Sequence, residues 1–467
     1  MVKKGMRWSV VGSTLNKVIS ILVFLVLAQK LPPSDFGILA ILTILVGFAS
    51  IFTQAGYKEA IIYFQIRNGC ELSSIFSLLL LLNTTVFVLT CYFLEEISGF
   101  FGGGIDSEIR YISLLLFLYP LKVISSAQLE SELRFKRIIL LELVAVVLSS
   151  VVALVMAFNN FGAMSLVAML VVKEVCVIVG LFFSTRWRVN IDFGFARIKY
   201  IYSYSAHLIS YSFVNYTVEN LDRVLIASLM GKADVGIYHR SLQLTSMPAM
   251  FVMNAVSRVL FPYLVGFKDS IDRVRMVHLE FLSIVAFIGF PFLSLLFVYA
   301  DPLVRILLGE SWALMVPLLK IFSVMGIFRI MSFLSVNLYK CLGQTKLQNK
   351  VNLLLKAIIL VAILSGYRWG VEGLAYALLI SRIINFLITQ YFVSRLILAS
   401  FSENISSLAP PLLFVAAMVS LFNIVVDLSW ISSVGTLILA SLLFLATYFS
   451  LGFVLFRSKF LAIRNYV

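Results

Sequence analysis

Charged side chains are scarce in this chain. Of its 467 residues only 13% are Asp, Glu, Lys or Arg and 61% are hydrophobic, against roughly 25% charged and 45–50% apolar in soluble domains. So few charges cannot cover a water-exposed surface, which excludes an ordinary soluble globular protein. Cysteine is equally sparse. Cys70, Cys91, Cys176 and Cys341 show no CxxC and no paired spacing, which excludes a disulfide framework and a thiolate metal site and leaves small apolar fillers. The histidines, His207, His239 and His278, lack metal-ligand spacing. No nucleophile–base pair and no phosphate-cradling loop stands out, so neither an enzyme nor a resident cofactor is expected. Nor is there a segment between apolar runs long enough to fold as a soluble domain, so activity has to lie among the helices. The net charge of +14 is spread along the chain rather than gathered in a patch, which argues against a nucleic-acid partner.

What the chain has in abundance is apolar sequence, with a mean hydropathy of +1.02. A membrane span takes about 20 residues, because the hydrocarbon core is roughly 30 Å thick and a helix rises about 1.5 Å per residue. Runs of that length recur over 8–30, 38–57, 72–94, 109–129, 138–158, 162–184, 203–230, 236–264, 278–299, 312–339, 351–368, 371–394, 408–427 and 430–456. The runs are continuous rather than alternating, so they predict helices and not barrel strands. The expectation is an all-α polytopic membrane protein of about fourteen spans. Lys3, Lys4 and Arg7 precede a run with no small-residue cleavage site, which predicts a retained first span rather than a removed signal peptide.

With the N-terminus in the cytoplasm, the loop cations fall overwhelmingly on one side. Outer segments hold only Lys30, Arg110, Lys232, Arg305 and Arg368. Clusters such as Arg134-Lys136-Arg137, Arg186-Arg188-Arg197-Lys199 and Lys340-Lys346-Lys350 all fall inside. By the positive-inside rule both termini are cytoplasmic. The longest outer loop, Glu95–Glu108, is acidic and carries Gly102, Gly103 and Gly104.

Two sequence echoes point to duplication. Asp35-Phe36-Gly37-Ile38 reappears as Asp234-Val235-Gly236-Ile237, and Gly162–Arg186 runs parallel to Gly370–Arg395 with Lys173 matched by Arg382. Both relate span n to span n+6 in the same orientation. The expected architecture is a six-helix lobe over 1–200, a second over 201–397, and two additional helices with a cytoplasmic tail over 398–467. Secondary transporters built from repeats bind substrate between them.

Ionisable residues inside spans are costly and tend to face a cavity or a partner. Here they include the basic Lys17, Lys122, Lys173, Arg223, Arg240, Arg258, Lys320, Arg329 and Arg382, against the acidic Glu142, Glu174, Glu219, Asp222 and Glu280. The basic excess suits an anionic substrate such as a phosphate, pyrophosphate or carboxylate. Five of these cations, Lys17, Arg240, Arg258, Lys320 and Arg329, are candidate substrate-binding residues. Lys17 sits on a polar stripe with Ser9, Ser13, Asn16 and Ser20; the alternative is snorkelling to the inner surface. The seventh span carries His207, Tyr211, Asn215, Glu219, Asn220, Asp222 and Arg223. Helical spacing places Glu219, Asp222 and Arg223 on one face, as a structural ion-pair cluster or as a group that responds to a cation or proton.

Several segments resemble a known family. Gly5-Met-Arg-Trp-Ser9, Leu27-Ala-Gln-Lys-Leu31-Pro-Pro-Ser-Asp-Phe-Gly37 and Gly56-Tyr-Lys-Glu-Ala-Ile-Ile62 are similar to the opening of prokaryotic polysaccharide transporters. Asn220-Leu-Asp-Arg223, Gly236-Ile-Tyr238 and Val259-Leu-Phe-Pro262 resemble their middle section, and Leu342-Gly-Gln-Thr-Lys346 and Gly370-Val-Glu-Gly373 their later helices. The likeness is strongest up to about residue 395. It implies a Wzx-like flippase of the multidrug/oligosaccharidyl-lipid/polysaccharide exporter superfamily, with two six-helix lobes in a V. Such a protein moves undecaprenyl-pyrophosphate-linked oligosaccharide across the prokaryotic cytoplasmic membrane for O-antigen, capsule or exopolysaccharide assembly. Alternating access coupled to sodium ion or proton is implied, among membrane lipids and beside glycan polymerase and transferase proteins. A multidrug/cation antiporter of the same superfamily would call for an acidic cavity. A polymerase or ligase would call for a large outer loop.

Overall fold

The computed structural model describes residues 2–54, 56–425 and 433–455. Among them the chain is helical throughout, with no strand. Arg457, Lys459 and Arg464, both ends of the run at 430–456, and the side chains of Lys3, Lys4, Arg7, Ser9, Asn254 and Arg258 lie outside the described residues.

The backbone divides into two compact units, Met1–Gly236 and Ile237–Val467. The first contains α1 (Val2–Lys30), α2 (Pro33–Thr53), α3 (Tyr57–Tyr63), α4 (Gly69–Tyr92), α5 (Leu94–Phe100), α6 (Asp106–Ser113), α7 (Tyr119–Ser131), α8 (Phe135–Phe158), α9 (Ala163–Ser184), α10 (Lys199–Leu229) and the first turn of α11 (Lys232–Val265). The second holds the rest of α11, then α12 (Ile271–Val298), α13 (Ala300–Leu307), α14 (Met315–Cys341), α15 (Thr345–Gly366), α16 (Gly370–Leu396), α17 (Phe401–Val425) and α18 (Val434–Leu455).

Ten helical segments of the described residues are long and apolar enough to cross a membrane. An eleventh arises if the bent pair Asp106–Phe117 and Tyr119–Ser131 is one span. That pair covers the continuous helix expected over 109–129. It breaks by 47°, beside Pro120 at the start of α7, where proline supplies no N–H to the preceding turn. The 52-residue segment Thr345–Leu396 contains both α15 and α16. The helices α10 and α11, 31 and 34 residues long, have the length for a span but not the apolarity.

Helix starts follow local chemistry. The run expected from 38 begins at Pro33, because proline at the first helical position gives up an N–H that has no intrahelical partner anyway. Asn68 caps α4, its Oδ1 accepting from the Cys70 N–H at 3.1 Å. At α3 the chain turns through Gly56 at φ +84°, and the Gly56 N–H donates to Glu59 Oε2 at 3.0 Å.

In the first unit α3, α4, α7 and the start of α10 share a core built on Tyr57, Ile61, Ile75, Leu79, Ile124, Trp187 and Ile201. Leu129, Ala145, Val177 and Leu181 join α7, α8 and α9. The two glycines of the first sequence echo meet here. A Cβ on Gly37 would lie 1.7 Å from the Lys232 carbonyl oxygen, and one on Gly236 would lie 2.2 Å from the Pro33 carbonyl oxygen. The starts of α2 and α11 therefore touch backbone to backbone, a contact only residues without a Cβ allow.

The second unit has one large apolar core drawn from α11, α12, α14, α16, α17 and α18. Its aromatic centre is Tyr448 on α18, fully buried. The ring lies 5.0 Å from Phe287 and 4.8 Å from Phe414, and the hydroxyl donates to the Phe287 carbonyl at 3.1 Å. The last two helices are thus packed into this unit. Much of the remaining surface is Val, Leu and Phe, as on the Val147-Val151-Val155 face of α8, which suits contact with lipid chains.

Candidate functional site

The helix α10 divides into two faces. One packs inward through Ile201, Ser205, Asn220, Ile226 and Ala227, all buried. On that side the Tyr216 hydroxyl donates to the Ile44 carbonyl at 2.8 Å, and Gly47 leaves room for it. The other face carries Tyr204, His207, Tyr211, Asn215 and Glu219 at steps of three and four, of which His207, Tyr211 and Glu219 are exposed. His207 Nδ1 lies 2.6 Å from the Ser203 carbonyl. A carbonyl only accepts, so Nδ1 carries a proton, and in the neutral ring Nε2 is left as an acceptor.

Toward the C-terminal end of α10, Asp222 is buried and Arg223 half-buried. The guanidinium lies 3.7 Å from Asp222 Oδ1, while Arg223 Nη2 donates to the Glu219 backbone carbonyl at 2.8 Å. Asp222 Oδ1 also accepts from the Arg223 N–H at 2.8 Å. Of the three residues expected on one face, the structure therefore brings Asp222 and Arg223 together. The Glu219 carboxylate forms no salt bridge among the described residues.

Lys17 is exposed on α1, and Ser20 turns its hydroxyl back to the Asn16 carbonyl at 2.7 Å. In the second unit Arg240 is half-buried, with Nη1 donating to Gln243 Oε1 at 2.5 Å. Arg258 lies eighteen residues further along α11. At 3.6 residues per turn that is five full turns, so the two positions share one face. Lys320 and Arg329 share α14 but are nine residues apart, two and a half turns, which sets them on opposite sides. Lys320 is exposed and Arg329 half-buried.

One of the intramembrane cations does not contribute free positive charge. Lys122 on α7 bonds Glu174 on α9 at 2.6 Å. Lys173 and Lys122 both lie within electrostatic reach of Glu142 on α8. The excess that favours an anion is thereby carried by fewer residues than the sequence counts.

Sequence reasoning passed over an aromatic group at the start of α10. Tyr63, the last residue of α3, stacks on Tyr204 with ring centres 5.2 Å apart and planes 13° from parallel. Phe64 stands edge-on to Tyr63, Tyr204 and Tyr200 at 4.9, 5.7 and 4.8 Å. Burial, and then the neighbouring Glu71 carboxylate, raise the Tyr200 phenol above its ordinary value. The available signal was the density of Tyr200, Tyr202 and Tyr204 one turn before His207 on the same helix.

The polysaccharide biosynthesis protein family matches residues 26–317. The lipopolysaccharide biosynthesis protein WzxC of Escherichia coli (strain K12) is 24% identical over 416 residues, covering 87% of this chain and 84% of the relative. The succinoglycan biosynthesis transport protein ExoT of Rhizobium meliloti (strain 1021) is 24% identical over 323 residues, 68% of this chain and 65% of its own length. Among solved structures, the lipid II flippase MurJ in an inward closed conformation superposes with a TM-score of 0.75, covering 96% of this chain and 99% of that one at 14% identity. At that identity the superposition speaks for the fold alone.

Proposed function

This chain belongs to the polysaccharide biosynthesis protein family, and from that membership we propose that it is a flippase for lipid-linked oligosaccharide. It is a multi-pass membrane protein and a transporter rather than an enzyme. A charged, sugar-bearing headgroup cannot cross hydrocarbon unaided, whereas a polyprenyl tail can remain in lipid while the headgroup passes through a polar path. The observation that carries this reading is the combination of the family match with a long helix, α10, that exposes His207, Tyr211 and Glu219 along one stripe.

The finer reading has several parts. Fourteen helices cross the cytoplasmic membrane with both termini inside, arranged as two six-helix lobes and two additional helices. Lys17, Arg240, Arg258, Lys320 and Arg329 hold the pyrophosphate, for which guanidinium and ammonium groups are suited donors. Glu219, Asp222 and Arg223 couple transport to a sodium ion or proton, and glycan polymerase and transferase proteins act on either side of the step.

The test is the pool of lipid-linked oligosaccharide in a deletion strain, with its leaflet determined, compared with complemented cells. Complete oligosaccharide accumulating on the cytoplasmic leaflet with surface glycan lost supports a flippase. Short, unpolymerised repeats reaching the outer face would replace it with a polymerising enzyme. Complementation with Arg329→Ala is expected to lower surface glycan at least tenfold at normal protein abundance; unchanged glycan removes Arg329 from the site.

A further inference from the structure

We propose that the stacked pair Tyr63–Tyr204, continued along α10 by His207, Tyr211, Asn215 and Glu219, is the surface that holds the pyranose rings of the carried oligosaccharide. The proposal rests on the flippase reading and assigns the sugar portion of the substrate to a place distinct from the cations expected to hold its pyrophosphate.

The first support is depth. Tyr211 lies twelve residues into α10 and Glu219 twenty, so at 1.5 Å per residue the stripe from Tyr204 to Glu219 extends about 22 Å along the helix, most of the roughly 30 Å hydrocarbon thickness. Tyr211 is 69% exposed, and His207 and Glu219 are exposed as well. An exposed carboxylate and imidazole facing lipid chains, with the half-buried amide of Asn215 between them, would each carry a penalty, up to several kcal/mol for the carboxylate. A water-filled path removes it. Interfacial anchoring accounts for a tyrosine at a membrane surface, which would suffice for Tyr63, but it does not account for Tyr211 in mid-helix.

The second support is chemistry. A pyranose ring has an apolar C–H face and a rim of hydroxyls. Tyrosine rings are flat, rigid and polar at one end, so they can take the C–H face while their hydroxyls remain available. The ring of Tyr63 is 67% exposed and backed on one side by Tyr204, so it is held in orientation with its other face open. Along the stripe stand acceptors and donors for sugar hydroxyls: Nε2 of His207, the amide of Asn215 and the carboxylate of Glu219. The stripe contains no cation. Arg223, toward the C-terminal end of the helix, is held against Asp222 and the Glu219 carbonyl. A neutral-to-acidic aromatic surface fits sugar rings and does not fit a pyrophosphate.

Binding to purified protein in nanodiscs separates the two portions of the substrate. The probes are lipid-linked oligosaccharide extracted from the deletion strain and bare undecaprenyl pyrophosphate. The wild type is expected to bind the sugar-bearing lipid about tenfold more tightly than the bare one. Tyr63→Ala/Tyr204→Ala should erase most of that difference with bare-lipid binding unchanged, and Tyr63→Phe/Tyr204→Phe should keep it. A double alanine variant that retains the tenfold difference overturns the proposal. If that variant melts early or loses bare lipid too, Tyr211→Ala decides by the same difference, and no loss overturns it. A wild type that binds neither lipid counts instead against the flippase reading.

Discussion

Gly37 and Gly236 show what one missing carbon permits. Each faces a backbone carbonyl at a distance no Cβ can occupy, so the approach of the first turns of α2 and α11 depends on both. In Gly37→Ala the added methyl meets backbone, which cannot rotate aside as a flexible side chain would, and the helix starts must separate. The cost of such overpacking is about 1–3 kcal/mol, partly offset because alanine favours the helix by roughly 1 kcal/mol over glycine. A lower melting temperature than wild type is expected for the detergent-purified variant. Gly69→Ala serves as the reference, because a Cβ there meets nothing within 4 Å and should melt no earlier than wild type. Equal melting of Gly37→Ala and Gly69→Ala would mean that the close contact carries no weight.

Elements were more legible in the sequence than the contacts between them. Long apolar runs mark helices because a span must satisfy its backbone internally over a fixed thickness, and α8, α9, α12 and α14 lie where those runs predict. The break at Pro120 was not read, since the apolar run continues through it and only the backbone reveals the 47° bend. The site was legible as a polar face on α10 because that face is periodic within one helix. Its partner Tyr63 was not, since nothing in a one-dimensional pattern brings α3 to the start of α10. Likewise Lys122 counted toward the intramembrane basic excess until Glu174, on another helix, was found beside it. The attachment of α18 belongs at this scale too. Tyr448 is fully buried between Phe287 and Phe414, and replacing a core aromatic by alanine costs about 3–5 kcal/mol. Tyr448→Ala is expected to expose the 397–400 connection before α17 to limited proteolysis, with the rest of the second unit resistant. Tyr448→Phe keeps the ring and loses one hydrogen bond, about 1 kcal/mol, so its digestion pattern should stay near that of wild type. Identical patterns for Tyr448→Ala and wild type would mean that α17 and α18 are held by other contacts.

For the whole molecule the orientation in the membrane decides what the proposed site can reach. Cytoplasmic termini are proposed from the asymmetry of loop cations, which reflects the energetics of insertion rather than any one contact. On that proposed orientation the stacked pair Tyr63–Tyr204 stands on the cytoplasmic side, where a lipid-linked oligosaccharide would first be met. The chain contains its own reporters. Cys70 and Cys91 are both exposed and lie at opposite ends of α4, which runs from Gly69 to Tyr92. Cys70 follows the segment that carries Lys58 and Arg67, and Cys91 precedes the acidic loop with Glu95 and Glu96. With the other three cysteines changed to serine, each is the sole thiol of its variant. In right-side-out spheroplasts a membrane-impermeant maleimide should label the Cys91 variant severalfold faster than the Cys70 variant, and lysis should raise Cys70 labelling to a similar rate. The reverse order would put both termini outside. The basic loops would then face the wrong leaflet, and the aromatic pair would stand at the exit of the path instead of its entrance, where it could release sugar but not select it.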